Sequence, residues 1–287
     1  MVTARDYDCS VHPTWCVGCG NFGIHNAVKS ALAGLGLAPH QVLIVSGIGC
    51  GSKLPDYTYA NGFLTIHGRT LAVATGARLA NHGLKVFCVH GEGDAYGEGG
   101  NHFVHSARRN IGLVDIVQDN RRYSLTKGQY SPTSDHGLVT GTSPEGAIEE
   151  PFNPLAIALA AGATFVARGF AGDPKHLADL IMQAARHRGY ALIDVLQPCV
   201  SFNRVNTYEW YRARVYKLEE GRQRNDRLAA FALAQEWGDK IPVGVLFQQT
   251  DRASYEEQVS ELAAGPLVGR SLVRTQAEFD LLLAEMT

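Results

Sequence analysis

Two groups of residues in this 287-residue chain have the types and spacing to do chemistry. The first is cysteine. Cys16 and Cys19 form Trp15-Cys16-Val17-Gly18-Cys19-Gly20, while Cys50 and Cys199 stand beside turn formers in Gly47-Ile48-Gly49-Cys50-Gly51 and Gln197-Pro198-Cys199. A Cys-x-x-Cys pair serves as a redox dithiol, half a zinc site or half an iron–sulfur site. With 30 residues between Cys19 and Cys50 and 148 between Cys50 and Cys199, the set matches no zinc ribbon. One four-cysteine metal centre, a redox pair and unrelated thiols all stay open, and ligand type does not choose iron–sulfur over zinc. Cys88, inside the apolar run 85–89, reads as a core residue. Cys9, in a polar arm, reads as chemically idle.

The second group is Gly91-Glu92-Gly93-Asp94-Ala95, with Asn120 following Glu92 by 28 residues. Backbone amides at the start of a helix hold a diphosphate. A carboxylate in the same turn suits Mg2+, which takes hard oxygen ligands and phosphate oxygens together. An Asn side-chain oxygen at the next strand end completes such a site.

These residues need a scaffold that brings loops together. Five short runs rich in Val and Ile, at 41–46, 85–89, 114–118, 163–168 and 191–196, read as strands without polar alternation. Such runs suit a parallel sheet buried on both faces. Helical patterns lie between them at 23–35, 69–81, 97–109, 154–161 and 174–187. In the first, Ile24, Val28, Leu32 and Leu35 form one apolar stripe. Strand and helix alternating imply an α/β fold, a doubly wound and mostly parallel sheet whose ligands sit outside the carboxyl ends of the strands. The chemical segments fall there. Residues 1–13 read as an N-terminal arm, 14–205 as the binding domain, and 206–287 as an arm followed by a helical C-terminal extension.

Composition narrows the function classes. Apolar residues make up 45% and charged residues 19%, enough to bury a sizeable core. A net charge of −2 offers no basic field for nucleic acid or an anionic membrane. No apolar run reaches the roughly 18 residues of a membrane span, and the polar start of the chain is not a signal peptide. The expectation is a cytoplasmic protein. Its 31 Gly cluster at 18–24, 47–51 and 91–100, where backbone turns sharply or meets a ligand.

Gly91-Glu92-Gly93 with Asn120 resembles the thiamine diphosphate and Mg2+ motif of thiamine-dependent enzymes. Around it, Gly93-Asp94-Ala95-Tyr96, Gly99-Gly100-Asn101-His102-Phe103 and Leu125-Thr126-Lys127-Gly128-Gln129-Tyr130-Ser131-Pro132-Thr133-Ser134 resemble one family in particular. So do Trp15-Cys16-Val17-Gly18-Cys19-Gly20-Asn21-Phe22-Gly23 and Ser46-Gly47-Ile48-Gly49-Cys50. That family is the β subunit of 2-oxoacid:ferredoxin oxidoreductases, and the resemblance runs in register from about residue 10 to residue 205.

The resemblance implies a diphosphate-half thiamine fold and a set of site residues. Cys16, Cys19, Cys50 and Cys199 would ligate a [4Fe–4S] cluster. Glu92 and Asn120 would reach Mg2+ through side chains, and Arg122 through its carbonyl. Gly91, Gly93, Asp94 and Ala95 would line the diphosphate, with Ile48, Gly49, Cys50 and Gly51 along the cofactor. Leu125, Thr126 and Lys127 would approach the reacting carbon, and His67 would reach cofactor or substrate. Lys53 would meet the substrate carboxylate. With Lys127 as a second cation, a dicarboxylic substrate, 2-oxoglutarate, comes first and pyruvate or another 2-oxoacid second. An α subunit would bring the pyrimidine half and the coenzyme A site in an αβ or (αβ)2 enzyme, and ferredoxin would take the electrons. A non-redox thiamine decarboxylase or synthase and a non-catalytic scaffold subunit are the rivals.

One departure stands out. The family motif has Asp where this chain has Glu92. The longer side chain leaves three expectations open: Glu92 still holds the metal, Asp94 replaces it, or cofactor binding weakens.

Overall fold

The computed structural model describes residues 2–286 apart from 220 and 272. The five expected strands are present as β1 (Val42–Ser46), β3 (Lys85–Gly91), β4 (Val114–Asp119), β5 (Phe165–Phe170) and β6 (Ala191–Leu196). The expected helices appear as α1 (Gly20–Gly34), α2 (Thr70–Ala80), α3 (Gly100–Arg109), α4 (Pro154–Ala160) and α5 (Pro174–Arg186). Pro at the first position suits α4 and α5, where no amide partner is lost, and Asn153 and Asp173 cap them by accepting from the Ala156 and His176 amides.

Three strands lie outside the five expected. They are β2 (Asn61–Leu64), β7 (Val215–Lys217) and β8 (Ile241–Gln248). The sheet order is β2-β1-β3-β4-β6-β5-β8-β7. The first six are parallel, while β8 runs antiparallel to β5. Sequence reading placed 206–287 in an arm and a helical extension; instead β8 continues the sheet, and the boundary at 205 cuts a single sheet. Pro242 and Gly244 hid the strand, because both argue against a central one. Pro242 escapes the conflict by pairing only with Tyr216 of β7, since the pairing with β5 stops at Gly244. The expected arm at the start of 206–287 folds as α6 (Tyr208–Arg212) and β7, with Tyr211 fully buried among Phe170, Leu196, Ile241 and Val243.

Core sits on both faces. Ile24, Val28 and Leu32 of α1 pack with Leu177 and Ile181 of α5 on one side. Leu71, Phe103, Leu155 and Ala230 pack on the other, with Ala230 from α7 (Arg227–Gln235). Cys88 is fully buried there, as a core residue should be. Parallel pairing keeps the strands in step: Gly91 faces Gln118, and Asp119 faces Leu196. Their carboxyl ends therefore open on one edge. Among the described residues no helix is long and apolar enough to cross a membrane.

Two core histidines are held neutral. Burial, aided by Lys29, pushes His25 down to about 4, and burial, aided by Lys85, does the same to His187. The unfolded chain protonates both from about pH 6.5 downward, so it binds more protons than the folded chain between 6.5 and 4. The stability present above pH 6.5 is then lost as pH falls toward 4. Buried Glu92 and Asp194, whose carboxyls are raised, act in the opposite direction over the same range, so the histidine contribution is read as a difference: as pH falls from 7 to 5, the urea midpoint of the His25→Gln/His187→Gln double variant should rise relative to that of the wild type.

Candidate functional site

Four strands end in the segments that sequence reading singled out. Their loops enclose two adjoining cavities, one of about 100 Å3 and one of about 150 Å3. Cys50, Asn120, Ser124 and Leu125 belong to the walls of both.

A single carboxylate organises the first cavity. Asp94 Oδ1 accepts from the Ile48 and Gly68 amides, each at 2.9 Å. Its Oδ2 accepts from Thr70 Oγ1 at 3.0 Å and faces His90 Nδ1 at 2.8 Å. His90 Nε2 lies 2.8 Å from Asp115 Oδ1, and Tyr190 donates to the other Asp115 oxygen. Burial alone would lower the His90 pKa, but Asp115 and Asp94 outweigh it and raise it to about 9. Burial would raise the Asp94 carboxyl, yet His90 and the two amides hold it down at about 2. Gly47 is compelled by this arrangement, because a Cβ there would sit 2.2 Å from both Asp94 oxygens. Asp94 lines the cavity but has every oxygen engaged, so the expectation that it replaces Glu92 as metal ligand fails on geometry.

Glu92 is differently placed. It is 1% exposed, with Oε1 accepting from the Arg122 amide at 2.9 Å and Oε2 from the Asn120 amide at 3.4 Å. Burial, with Asp119 nearby, pushes its carboxyl up to about 8. A divalent cation would relieve that buried charge and reverse the shift. The extra methylene lets the carboxylate span from the end of β3 to the turn after β4. Glu92, Asn120 and Arg122 all line the cavity, and the Glu92 carboxylate, the Asn120 side chain and the Arg122 carbonyl would offer Mg2+ the hard oxygen ligands it takes.

The same cavity has a cradle for a ligand. A Cβ added at Gly91 or Gly49, both on its wall, meets no atom within 4 Å. Gln118, on the same wall, buries an Oε1 that has no hydrogen-bond partner. Gly93 opens a π-helical turn, Gly93–Glu98, and must be glycine because Tyr123 covers it: a Cβ would lie 2.1 Å from the Tyr123 ring. Thiamine diphosphate with Mg2+ fits this donor set and this open floor.

All four singled-out cysteines line the second cavity. Trp15 Nε1 donates to the Cys50 carbonyl at 2.7 Å, and the Gly20 amide donates to the Pro198 carbonyl at 3.1 Å. These two bonds bring the Cys-x-x-Cys turn against the loops after β1 and β6. Ser201 Oγ donates to Cys16 Sγ at 3.0 Å and Gln197 Nε2 to Cys19 Sγ at 3.2 Å, while Ser124 Oγ lies 3.1 Å from both Cys199 Sγ and Asn120 Oδ1 and has one proton for the two. Burial pushes the Cys19 thiol up to about 12, and the other three thiols act in the same direction. Among the described residues no three His, Cys, Asp or Glu side chains close on one point as a single ion requires. An iron–sulfur cluster, with inorganic atoms between its thiolates, spreads them further apart than one ion does. Four thiols around a cavity, backed by hydroxyl and amide donors, fit such a cluster.

The remaining expected residues divide between the cavities. His67 and Thr126 line the first, while Lys53 and Lys127 line the second and Leu125 both. His67 Nδ1 stands 3.0 Å from Glu98 and 3.8 Å from Asp94. Ala95 was expected along the diphosphate; it is fully buried in the core beneath the turn and lines neither cavity. Tyr123, Ser124, Gln197 and Ser201 were not foreseen. The hydroxyls carry no sequence signal, since a serine in a loop reads as solvated until the fold sets a sulfur beside it.

A family model described as "Thiamine pyrophosphate enzyme, C-terminal TPP binding domain" matches residues 47–195. Another, for the C-terminal part of the pyruvate ferredoxin oxidoreductase beta subunit, matches residues 199–264. The 2-oxoacid:ferredoxin oxidoreductase subunit beta of Sulfolobus sp is 46% identical over 258 residues, covering 85% of each chain. The 2-oxoglutarate oxidoreductase subunit KorB of Mycobacterium tuberculosis is 46% identical over 199 residues, which span 69% of this chain and 53% of that one. A solved 2-oxoglutarate:ferredoxin oxidoreductase from Magnetococcus marinus, with 2-oxoglutarate, coenzyme A and succinyl-CoA bound, superposes with a TM-score of 0.90. Its chain is 38% identical to this one, over 98% of this chain and 96% of that one.

The energetic weight of the Asp94 centre can be measured. Asp94→Asn leaves His90 charged between one acid and an amide, and should cost about 3 kcal/mol of stability in urea denaturation. Thr70→Val removes one neutral donor and should cost about 1 kcal/mol.

Proposed function

Because the chain belongs to the β subunits of the 2-oxoacid:ferredoxin oxidoreductases, we propose that it oxidatively decarboxylates 2-oxoglutarate to succinyl-CoA and CO2 together with an α subunit, passing the electrons through a [4Fe–4S] cluster to ferredoxin. The observation that carries this reading is the shared wall between the two cavities: a cofactor cradle and a four-thiol pocket meet at Cys50, Asn120, Ser124 and Leu125. When bound, thiamine diphosphate supplies the nucleophile and electron sink for loss of CO2 from a 2-oxoacid, and the cluster supplies a one-electron acceptor beside it.

The chain's own residues orient and insulate. Gly91 leaves backbone free to approach a diphosphate, Gly93 lets Tyr123 pack over the turn beside it, and Glu92, Asn120 and the Arg122 carbonyl would hold its Mg2+. Cys16, Cys19, Cys50 and Cys199 would hold the cluster. Hydrogen bonds from Ser201 and Gln197 to two of the sulfurs would tune its potential. Leu125, 44% exposed, and Thr126 would cover the reacting carbon. His67 presents a ring at the rim, oriented by Glu98.

Two cations in one cavity favour a second carboxylate on the substrate. Lys53 and Lys127 both line the four-thiol pocket, and this supports 2-oxoglutarate over pyruvate, the alternative. The M. tuberculosis and M. marinus relatives, named for 2-oxoglutarate, point the same way. The place for an α subunit is suggested by β2. All four of its residues are exposed, and Phe63, Leu64 and Ile66 form an apolar edge leading to His67. An unpaired apolar edge strand is a liability unless it is covered.

The αβ pair, purified without oxygen, should show the visible absorption of a thiolate-bound cluster, and 2-oxoglutarate with coenzyme A should bleach it. A colourless, zinc-containing sample would end the redox reading. A coloured sample that responds to pyruvate but not to 2-oxoglutarate would move the substrate to the alternative. Lys53→Gln should lower kcat/KM for 2-oxoglutarate roughly tenfold or more through the lost charged hydrogen bond.

A further inference from the structure

We infer that Trp237 is a positioning residue for the turn carrying Asn120 and Arg122, acting through the side chain of Arg121. This rests on reading that turn as the metal-holding one. Arg121 lies between the two expected ligands and takes φ = +62°, a left-handed conformation that strains a residue with a Cβ. Such strain persists only where the surroundings over-determine it.

Besides the neighbouring Arg122 Nη1, which donates to its carbonyl at 2.6 Å, four anchors hold Arg121. Its amide donates to Asp119 Oδ1 at 3.1 Å, and its carbonyl accepts from Ser134 Oγ at 2.7 Å. Its guanidinium pairs with Asp135 and lies 4.4 Å from the centre of the Trp237 ring. The first three partners belong to the same stretch of chain, 119–135, and would move with the turn. Trp237 does not: it sits between α7 and β8 and is tied to the sheet's far edge. Its ring lies 6.0 Å from that of Trp210, whose face in turn takes Arg214 at 4.4 Å.

The arginine side of the contact is buried. Arg121 is 4% exposed and buries an Nε with no hydrogen-bond partner. Arg168, also 4% exposed, buries an unpartnered Nε and Nη1 and lies 5.7 Å from the same ring. Both arginines line a cavity of about 220 Å3 with Asp119, Asp194 and Trp237. Trp237 itself is 36% exposed, so its ring is the outer wall over two buried guanidiniums, and the attraction between the ring face and Arg121 acts at the boundary with solvent. The C-terminal segment thereby reaches the cofactor turn without touching the cofactor.

The test uses the αβ enzyme freed of thiamine diphosphate and Mg2+. Two quantities are measured: hydrogen exchange in the peptide spanning 119–124 of the cofactor-free protein, and the dissociation constant for thiamine diphosphate at saturating Mg2+. Trp237→Ala should speed exchange in that peptide and weaken cofactor binding by about tenfold. Trp237→Leu, which keeps apolar volume without the aromatic face, should do the same, and Trp237→Phe should stay close to the wild type. Should the alanine variant fail to assemble, the leucine and phenylalanine variants carry the comparison. Unchanged exchange and affinity in Trp237→Leu would overturn the inference. If the wild type binds no thiamine diphosphate, the functional reading fails instead, and the exchange comparison still decides the role of Trp237.

Discussion

The site depends on one buried carboxylate. Asp94 draws the loop after β1, the segment before α2 and the end of β3 onto two oxygens, through Ile48, Gly68, Thr70 and His90. The four contacts bring three stretches of chain to the edge of the cofactor cavity. A buried charge of this kind is tolerable only when it is paired and saturated with hydrogen bonds. The imidazolium of His90 supplies the pair, and Asp115 with Tyr190 supplies the backing. The residue that looks like an alternative metal ligand is thus the fastener of the cavity, and Glu92 is the acid that faces the turn with Asn120 and Arg122.

From that centre the constraint spreads through glycine. Gly47 is small because Asp94 occupies its side-chain space, and Gly93 because Tyr123 does. Gly91 is small for another reason: its missing side chain leaves the cavity floor open. The glycine clusters therefore combine close packing and ligand approach, two different demands with one chemical answer. The chain after β1 also crosses to the end of β4, where Gln118 Nε2 reaches the Gly51 carbonyl at 3.4 Å. That crossing carries Cys50 toward Cys199, although two strands separate β1 from β6 in the sheet.

The C-terminal third does more than extend the molecule. β8 extends the sheet beside β5 and carries β7 at its edge, and the turn before it brings Trp237 back to the loop after β4. Sequence reading missed this because Pro242 and Gly244 interrupt the strand pattern. An isolated tryptophan has no periodicity to announce its partner.

What the sequence determined by itself is whatever depends on local pattern: the five buried parallel strands with their helices, the placement of chemistry at strand ends, and the motifs holding Cys16, Cys19, Cys50, Cys199, Glu92 and Asn120. Short Val- and Ile-rich runs and Gly-rich turns encode these within a few residues. Tertiary structure alone decided which of two acids, two residues apart, is saturated and which faces the turn with Asn120 and Arg122. It also decided that Ala95 lies under the cavity and that Ser124, Ser201 and Gln197 back the thiols. Those outcomes depend on groups brought together from 28 to 185 residues apart, and a carboxylate or hydroxyl takes its role from whatever donor, charge or sulfur the fold sets beside it.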